Sequence, residues 1–331
     1  MKVFVEQCEA TPCPRWEEIL ETGDNGTYYQ VPAWSRAVHT VTGQEICRVM
    51  AVDASGQVLA GLVLLVKQAA GVRVASKPWA TPYCGIIYCA NLPYRVKLRV
   101  NRALSAYLIK RFDYVRIESS TAFKDVLAFQ EGGWKISVKN TYILRKNESP
   151  LLSHVDPSVR RQIKKGQRND LRLCESNDPE PFFEMYQECY RRQGIMLDID
   201  RGGFTSFWDV LRGDDRTALC YVEIRGEKLA GMIINRYRQH HYYTLAAFRR
   251  KHAEMAAPSL LLYEYLDKSL RPGETFDFIG ANHYTPGITR FKSGFNPEES
   301  PYLVLEYWGW KYRLIKPLTP VIKRGKRLLH S

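Results

Sequence analysis

One short pattern occurs twice and orders the rest of the chain around it. Gly56-Gln57-Val58-Leu59-Ala60-Gly61 runs into LVLLV, and Gly226-Glu227-Lys228-Leu229-Ala230-Gly231 runs into MIINRY. An apolar run precedes each copy (CRVMAVD and ALCYVEI), so each reads as a β-hairpin whose second strand leaves through a glycine. After the first copy the periodicity predicts a helix over Tyr94 to Lys110, a strand over Tyr114 to Glu118, a helix over Phe123 to Glu131, the pair Gly133-Trp134 and a strand over Ile136 to Leu144. After the second come HHYYTLAAF, a helix over Pro258 to Leu270, a strand over Thr275 to Ile279, a helix from Pro286 to Gly294-Phe295 and a strand over Tyr302 to Tyr307. Both halves thus run hairpin, strand, helix, strand, helix, Gly-aromatic pair, strand. A VLAG or KLAG hairpin can recur by chance, but agreement in order over most of each half favours a duplicated unit.

A chain of 331 residues with 45% hydrophobic content can support two ordinary cores. Hydrophobic periodicity lapses in RKNESPLLSHVDP at Arg145 to Pro157, which predicts a first domain over 1–150, a second over 151–308 carrying the active site, and a basic and apolar tail over 309–331. The expected fold class is α/β (α+β), with mixed central sheets flanked by helices.

The balance of 48 Lys and Arg against 35 Asp and Glu leaves a net charge of +13, which suits a polyanionic partner or simply keeps a basic protein in solution. Eight cysteines are scattered without a CxxC pair or a neighbouring His at ligand spacing, so no metal site is expected and a reducing compartment is. The first residues, MKVFVEQCEATPCP, lack the apolar core of a secretory signal, and no apolar run is long enough to span a bilayer. These features predict a cytoplasmic protein.

The chemistry concentrates in FDFIGANHYTPGITRFKSGF, Phe276 to Phe295. Loops at the carboxyl ends of strands in such sheets bind ligands, and a lysine fixed on a helix there meets a phosphate or a developing oxyanion. Lys292 is the candidate, with Arg290 beside it; an exposed lysine complementing the helix dipole is the structural alternative. Asp277 is a candidate base or a buried acceptor for backbone N–H groups, and His283 is the histidine best placed in the sequence to titrate near neutrality. Tyr242 and Tyr243 alternate on one strand, so only one can face a substrate, and Tyr243 is taken as a contact. Arg160, Lys164 and Arg168 fall at i, i+4 spacing, where like charges repel unless an anion compensates them or water solvates the face. The first-half counterpart of the motif, YVRIESSTAFKDVLAFQEGGW, has Glu131-Gly132 where the second has Lys292-Ser293.

SVRRQIKKGQRNDL, FFEMYQECYRRQG, APSLLLYEYL, FDFIGA and ITRFKSGF, with YYQVPAW and TPYCGI in the first half, resemble the FemAB-like family, and the element order is similar to the GNAT acyltransferase fold. The resemblance implies two tandem GNAT-like domains and acyl transfer to an amine or hydroxyl, with acyl-CoA or an aminoacyl-tRNA as donor and no metal. It maps the family's active-site lysine onto Lys292 and an arginine for acceptor phosphate onto the region of Arg192 and Arg201. Ordinary GNAT enzymes hold the donor pyrophosphate on a glycine-rich turn; here the turn is Arg249-Arg250-Lys251-His252-Ala253-Glu254-Met255-Ala256, so phosphate contact falls to side chains such as Arg249 and Arg250. Where the tRNA-dependent members carry a lysine four residues after the tryptophan of YYQVPAW, Val38 stands.

The expected function is acyl transfer onto a cell-envelope or exopolysaccharide precursor, glycan or lipid-linked. Aminoacyl-tRNA-dependent transfer to peptidoglycan precursors, and a non-catalytic GNAT-like module binding tRNA or a lipid headgroup, are the alternatives. The tail has no acidic residue after Glu306 and alternates Lys and Arg with Trp, Leu, Ile and Val, the makeup of a segment that touches the inner face of a membrane. A disordered solubilising tail is the other reading.

Overall fold

The apolar runs on either side of the two glycine turns form the hairpins that the repeat predicts. In the computed structural model, which describes residues 4–9, 13–69, 71–280 and 286–315, the first half contains β1 (Phe4–Glu9), α1 (Pro14–Thr22) and α2 (Pro32–Thr42). The first hairpin is β2 (Glu45–Val52) and β3 (Val58–Ala69), followed by β4 (Val72–Ser76), the short β5 (Ile87–Tyr88) and α3 (Tyr94–Arg111). Then come β6 (Tyr114–Glu118), α4 (Leu127–Glu131) and β7 (Lys135–Arg145). The second half opens with α5 (Leu151–His154), α6 (Pro157–Arg168), β8 (Arg172–Glu175), α7 (Glu180–Arg192) and α8 (Arg201–Leu211). Its hairpin, β9 (Thr217–Ile224) and β10 (Glu227–Tyr237), leads to β11 (His240–Phe248), α9 (Ala257–Lys268) and β12 (Thr275–Asp277). The described chain ends with α10 (Pro286–Ser293), β13 (Glu298–Trp308) and α11 (Trp310–Ile315).

The two turns reach the same hairpin by different chemistry. Asp53 Oδ1 accepts the Ser55 and Gln57 N–H groups at 2.9 and 3.1 Å, bracing the longer first turn. Arg225 and Gly226 both have positive φ, 49° and 84°, which is the two-residue turn that matches strand twist. The glycine at which each second strand leaves also has one use in both copies. A Cβ on Gly61 would lie 2.5 Å from Cζ3 of the buried Trp16, and one on Gly231 would lie 2.9 Å from the Tyr221 ring and 3.0 Å from Phe182. Each glycine lets an aromatic ring lie flush on the hairpin.

Packing divides the chain into two compact units, one of Met1–Pro32, Gln44–Val138 and Tyr302–Ser331, the other of Ala33–Gly43 and Lys139–Pro301. Within the first, strands run in the order β1, β2, β3, β4, β6, β13; within the second, β8, β9, β10, β11, β12, β7. Neighbours are antiparallel except β4 with β6 and β11 with β12, which are parallel in both units. The parallel pair follows from the helix that joins its strands, α3 in one unit and α9 in the other. Each unit takes its last strand from the other half of the sequence. Val100, Leu104 and Leu108 of α3 fill the first core, while Leu260, Leu261, Tyr265 and Leu266 of α9 fill the second. Trp34 meets Phe207 edge-on at 5.6 Å, which ties residues 33–43 into the second unit.

Substituting Gly61→Ala forces Trp16 off its seat, and we expect destabilisation of about 1–3 kcal/mol, read as a lower urea midpoint. Gly56→Ala, also in the first turn, meets no atom within 4 Å and costs only the strain of its positive φ.

Candidate active site

Strand β12 stops at Asp277, two residues short of the predicted Ile279, because the backbone turns there. Ile279 has φ of 54° and Gly280 φ of 69°, a left-handed pair that begins with a β-branched residue. For such a side chain this conformation costs on the order of 1–3 kcal/mol and persists only when neighbours over-determine it. Three contacts do so. Asp277 Oδ1 accepts the Ile279 N–H at 2.8 Å and the Thr141 hydroxyl at 2.5 Å, and Thr141 Oγ1 accepts the Gly280 N–H at 3.2 Å. Thr141, fully buried, arrives on β7. On the opposite side the Ile279 and Gly280 carbonyls converge on Lys292 Nζ, the latter at 3.0 Å.

Lys292 is the buried residue of α10, 7% exposed, and the helix holds it there through its end. The next residues, Gly294 and Phe295, pack inward: a Cβ on Gly294 would lie 2.5 Å from Val159 of α6, and the Phe295 ring sits 6.1 Å from Phe278. The Asp156 N–H donates to Gly294 O at 2.9 Å, so α6 is docked on the same turn. Burial lowers the Lys292 pKa from 10.5 to about 8, against the opposing pull of the Asp277 carboxylate. The amine is therefore a cation close to its titration point at neutral pH. In the first unit the corresponding Glu131 is an exposed partner of Arg102 at 2.7 Å.

The other predicted residues distribute as follows. Arg160 lies on α6 near this turn, donating through Nη2 to Ser153 O and Val155 O at 3.3 Å, while its buried Nε has no partner among the described residues. Lys164 is exposed one turn on, and Val159, Ile163 and Gly166 form the inward face of the helix. Arg290 is exposed on α10. Tyr243 packs in the core on Phe276 and Phe278 at 6.0 and 6.5 Å; its neighbour Tyr242 is the one registered opposite Asp277, and burial of the phenol, with the Asp277 charge second, holds the Tyr242 pKa well above 10. Arg192 stacks on Phe248 at 4.9 Å and Arg201 pairs with Glu180. Arg249 pairs with Glu184 at 2.8 Å and donates to Lys228 O; Lys251 pairs with Glu227 at 2.9 Å; Arg250 is exposed. The turn bearing these cations leads into α9 through Ala256 at φ of 60°. His283 lies outside the described residues. Thr141 and Ile279 were not singled out from the sequence, Thr141 because nothing in the first half signals that its strand pairs with β12. Among the described residues no cluster of His, Cys, Asp or Glu is placed to hold a metal ion, and no helix is long and apolar enough to cross a membrane.

The family model of an acetyltransferase (GNAT) domain matches residues 155–293, which span the turn, Lys292 and the α9 junction. The second unit carries a GNAT acyltransferase domain. Among solved structures, that of FemX aligns over 96% of this chain and 99% of its own at 16% identity, with a TM-score of 0.66. The C-terminal domain of a putative lysylphosphatidylglycerol synthetase from Agrobacterium fabrum aligns over 93% and 96% at 11% identity, TM-score 0.57. A tandem GNAT protein from the clavulanic acid biosynthesis pathway aligns over 92% and 98% at 10% identity, TM-score 0.52. These likenesses, all below 25% identity, show a fold shared over nearly the whole chain. No curated protein matches the chain in sequence.

The GNAT domain's buried cation has a measurable cost. Between pH 8 and 10.5 the unfolded lysine binds a proton that the folded one has given up, so stability rises with pH through that window. The unfolding free energy of the native chain should gain on that of Lys292→Met by up to about 3 kcal/mol from pH 7.5 to 10.5, read from urea denaturation at each pH. A constant difference between the two would show an ordinary lysine.

Proposed function

We propose that the chain transfers an acyl or aminoacyl group onto an amine or hydroxyl of a cell-envelope or exopolysaccharide precursor, and that Lys292 is its catalytic cation. The observation that carries this reading is the Lys292 ammonium, buried and held by two carbonyls turned toward it. Among the described residues two of its three N–H groups are used, both on these carbonyls, and in this reading the third meets a ligand oxygen. In acyl transfer the acceptor attacks the acyl carbon, the carbonyl oxygen becomes an oxyanion, and collapse breaks the C–S bond of a thioester or the C–O bond of an aminoacyl ester. The nucleophile's proton ends on the leaving sulfur or oxygen. A donor fixed before the reaction begins stabilises the oxyanion without reorganising, an effect on the order of 10²–10³ in kcat for one such group.

In this reading Asp277 is a positioning residue, since its Oδ1 is engaged by Ile279 and Thr141 and so sets the carbonyls that aim Lys292. Arg160 and Lys164, docked beside the same turn, are assigned to the acceptor's phosphate or carboxylate. The donor's phosphates fall to the N-terminus of α9 with Arg250, because Arg249 and Lys251 already face Glu184 and Glu227. Support for an envelope acceptor comes from the +13 charge and from a fold shared with a protein named for a phosphatidylglycerol product. Acyl-CoA is favoured over charged tRNA as donor by Val38, which is fully buried where the tRNA-dependent enzymes are expected to carry a lysine.

Thermal shifts with acetyl-CoA, longer acyl-CoAs and charged tRNA identify the donor, since a ligand of the native state raises the melting temperature. With that donor, Lys292→Met should keep the shift and lose transfer by about 10²-fold or more. Full transfer by the variant, or no shift with any of the three, would favour a binding module. In the free enzyme kcat/KM should fall as pH rises through about 8, where Lys292 loses its charge.

A further inference from the structure

Helix α11 is fixed on one side and bare on the other. Tyr312 stacks on Tyr114 with centroids 4.3 Å apart and planes 16° from parallel, Gly309 N–H donates to Asp113 O at 2.7 Å, and Arg313 Nε donates to Trp308 O at 2.9 Å. With Tyr312 turned in, Trp310 and Leu314, four residues apart and so on one face, are each 69% exposed. A tryptophan and a leucine set side by side in water on a pinned helix are a surface waiting for an apolar partner.

The same corner gathers cations from three elements. Asp113 N–H donates to Arg73 O at 2.8 Å and its Oδ2 accepts the Arg73 N–H at 2.9 Å, which draws the end of α3 and the start of β4 onto α11. These bonds bring together the chain segments that carry Arg73, Lys110, Arg111, Lys311 and Arg313, the last four exposed. The acidic Asp113 is engaged by the Arg73 backbone, and Glu306 on β13 is bonded to Tyr114 and Arg116 at 2.8 and 2.9 Å. In sequence the chain continues past Ile315 with Lys316, Lys323, Arg324, Lys326 and Arg327 and no acid.

We propose that α11 and this basic corner dock on an anionic lipid bilayer. Trp310 and Leu314 enter the interfacial layer, and the cations of the α3 end, β4 and α11 meet headgroup phosphates. A nucleic acid would account for the cations but leave the exposed Trp and Leu uncovered, so a bilayer is the partner that uses the whole surface. The proposal does not depend on the acyl-transfer reading, since no residue of the Lys292 site takes part in it.

The full chain should sediment with vesicles of equal parts phosphatidylcholine and phosphatidylglycerol, remain in solution with phosphatidylcholine alone, and be released as salt rises. Trp310→Ser with Leu314→Ser should weaken the partition about tenfold, and Lys110→Glu with Arg111→Glu by a similar factor, with melting temperatures unchanged because these side chains are exposed. Equal partitioning of the Trp310/Leu314 variant would overturn the proposal. So would a full chain that ignores anionic vesicles, whether or not it binds an RNA oligomer.

Discussion

The site depends on one reciprocal constraint: a left-handed turn at Ile279 and Gly280 that exists because a carboxylate holds its N–H side and an ammonium holds its C=O side. Neither half is stable alone. Without Asp277 and Thr141 the isoleucine would relax to an extended conformation and take its carbonyl away from Lys292. Without the carbonyls, a lysine at this depth would lose the dipoles that replace its water, and burial would push its pKa lower still. The strain in the backbone and the desolvation of the amine are two sides of one arrangement, and they put a cation of near-neutral pKa at the end of a parallel strand. That is the position from which α/β folds act on ligands.

The two units share a frame, and among the described residues the second carries this arrangement. Both units repeat the antiparallel strands, the parallel pair and the flush aromatic on a hairpin glycine. They differ after the parallel strand. In the first unit β6 ends in Glu118, buried and held by Arg116 at 2.9 Å and Lys77 at 3.4 Å, with the exposed Glu131 further on. That charge set is closed on itself, whereas among the described residues Lys292 is met by two carbonyls and no carboxylate hydrogen bond. The exchange of last strands gives the second unit its Thr141, a residue from the first half of the sequence that bonds Asp277 in the candidate site of the second.

Much of the frame was legible because hydrophobic periodicity and glycine turns are local signals. The helices α3 and α9, the strand β6 and both hairpins fall within a few residues of their predicted places. For Lys292 the sequence allowed an exposed lysine complementing the helix dipole, and the structure buries it. What escaped was non-local or conformational. Nothing in the sequence says that β7 pairs with β12, so Thr141 carried no signal. An isoleucine gives no warning of a positive φ, which is why the strand was extended past Asp277. Alternation of Tyr242 and Tyr243 tells that they face apart but not which one meets Asp277. The cations Arg249 and Arg201 looked available because their partners, Glu184 and Glu180, are distant in sequence.

The central claim is electrostatic, so its most direct test is the titration of one amine. In the free protein labelled at lysine Cε, the NMR signal that disappears in Lys292→Arg should titrate at about 8, the value set by burial against the Asp277 charge. A midpoint near 10.5, the ordinary value for lysine, would mean that the ammonium is solvated, that the carbonyls of Ile279 and Gly280 do not hold it, and that the site as described does not exist.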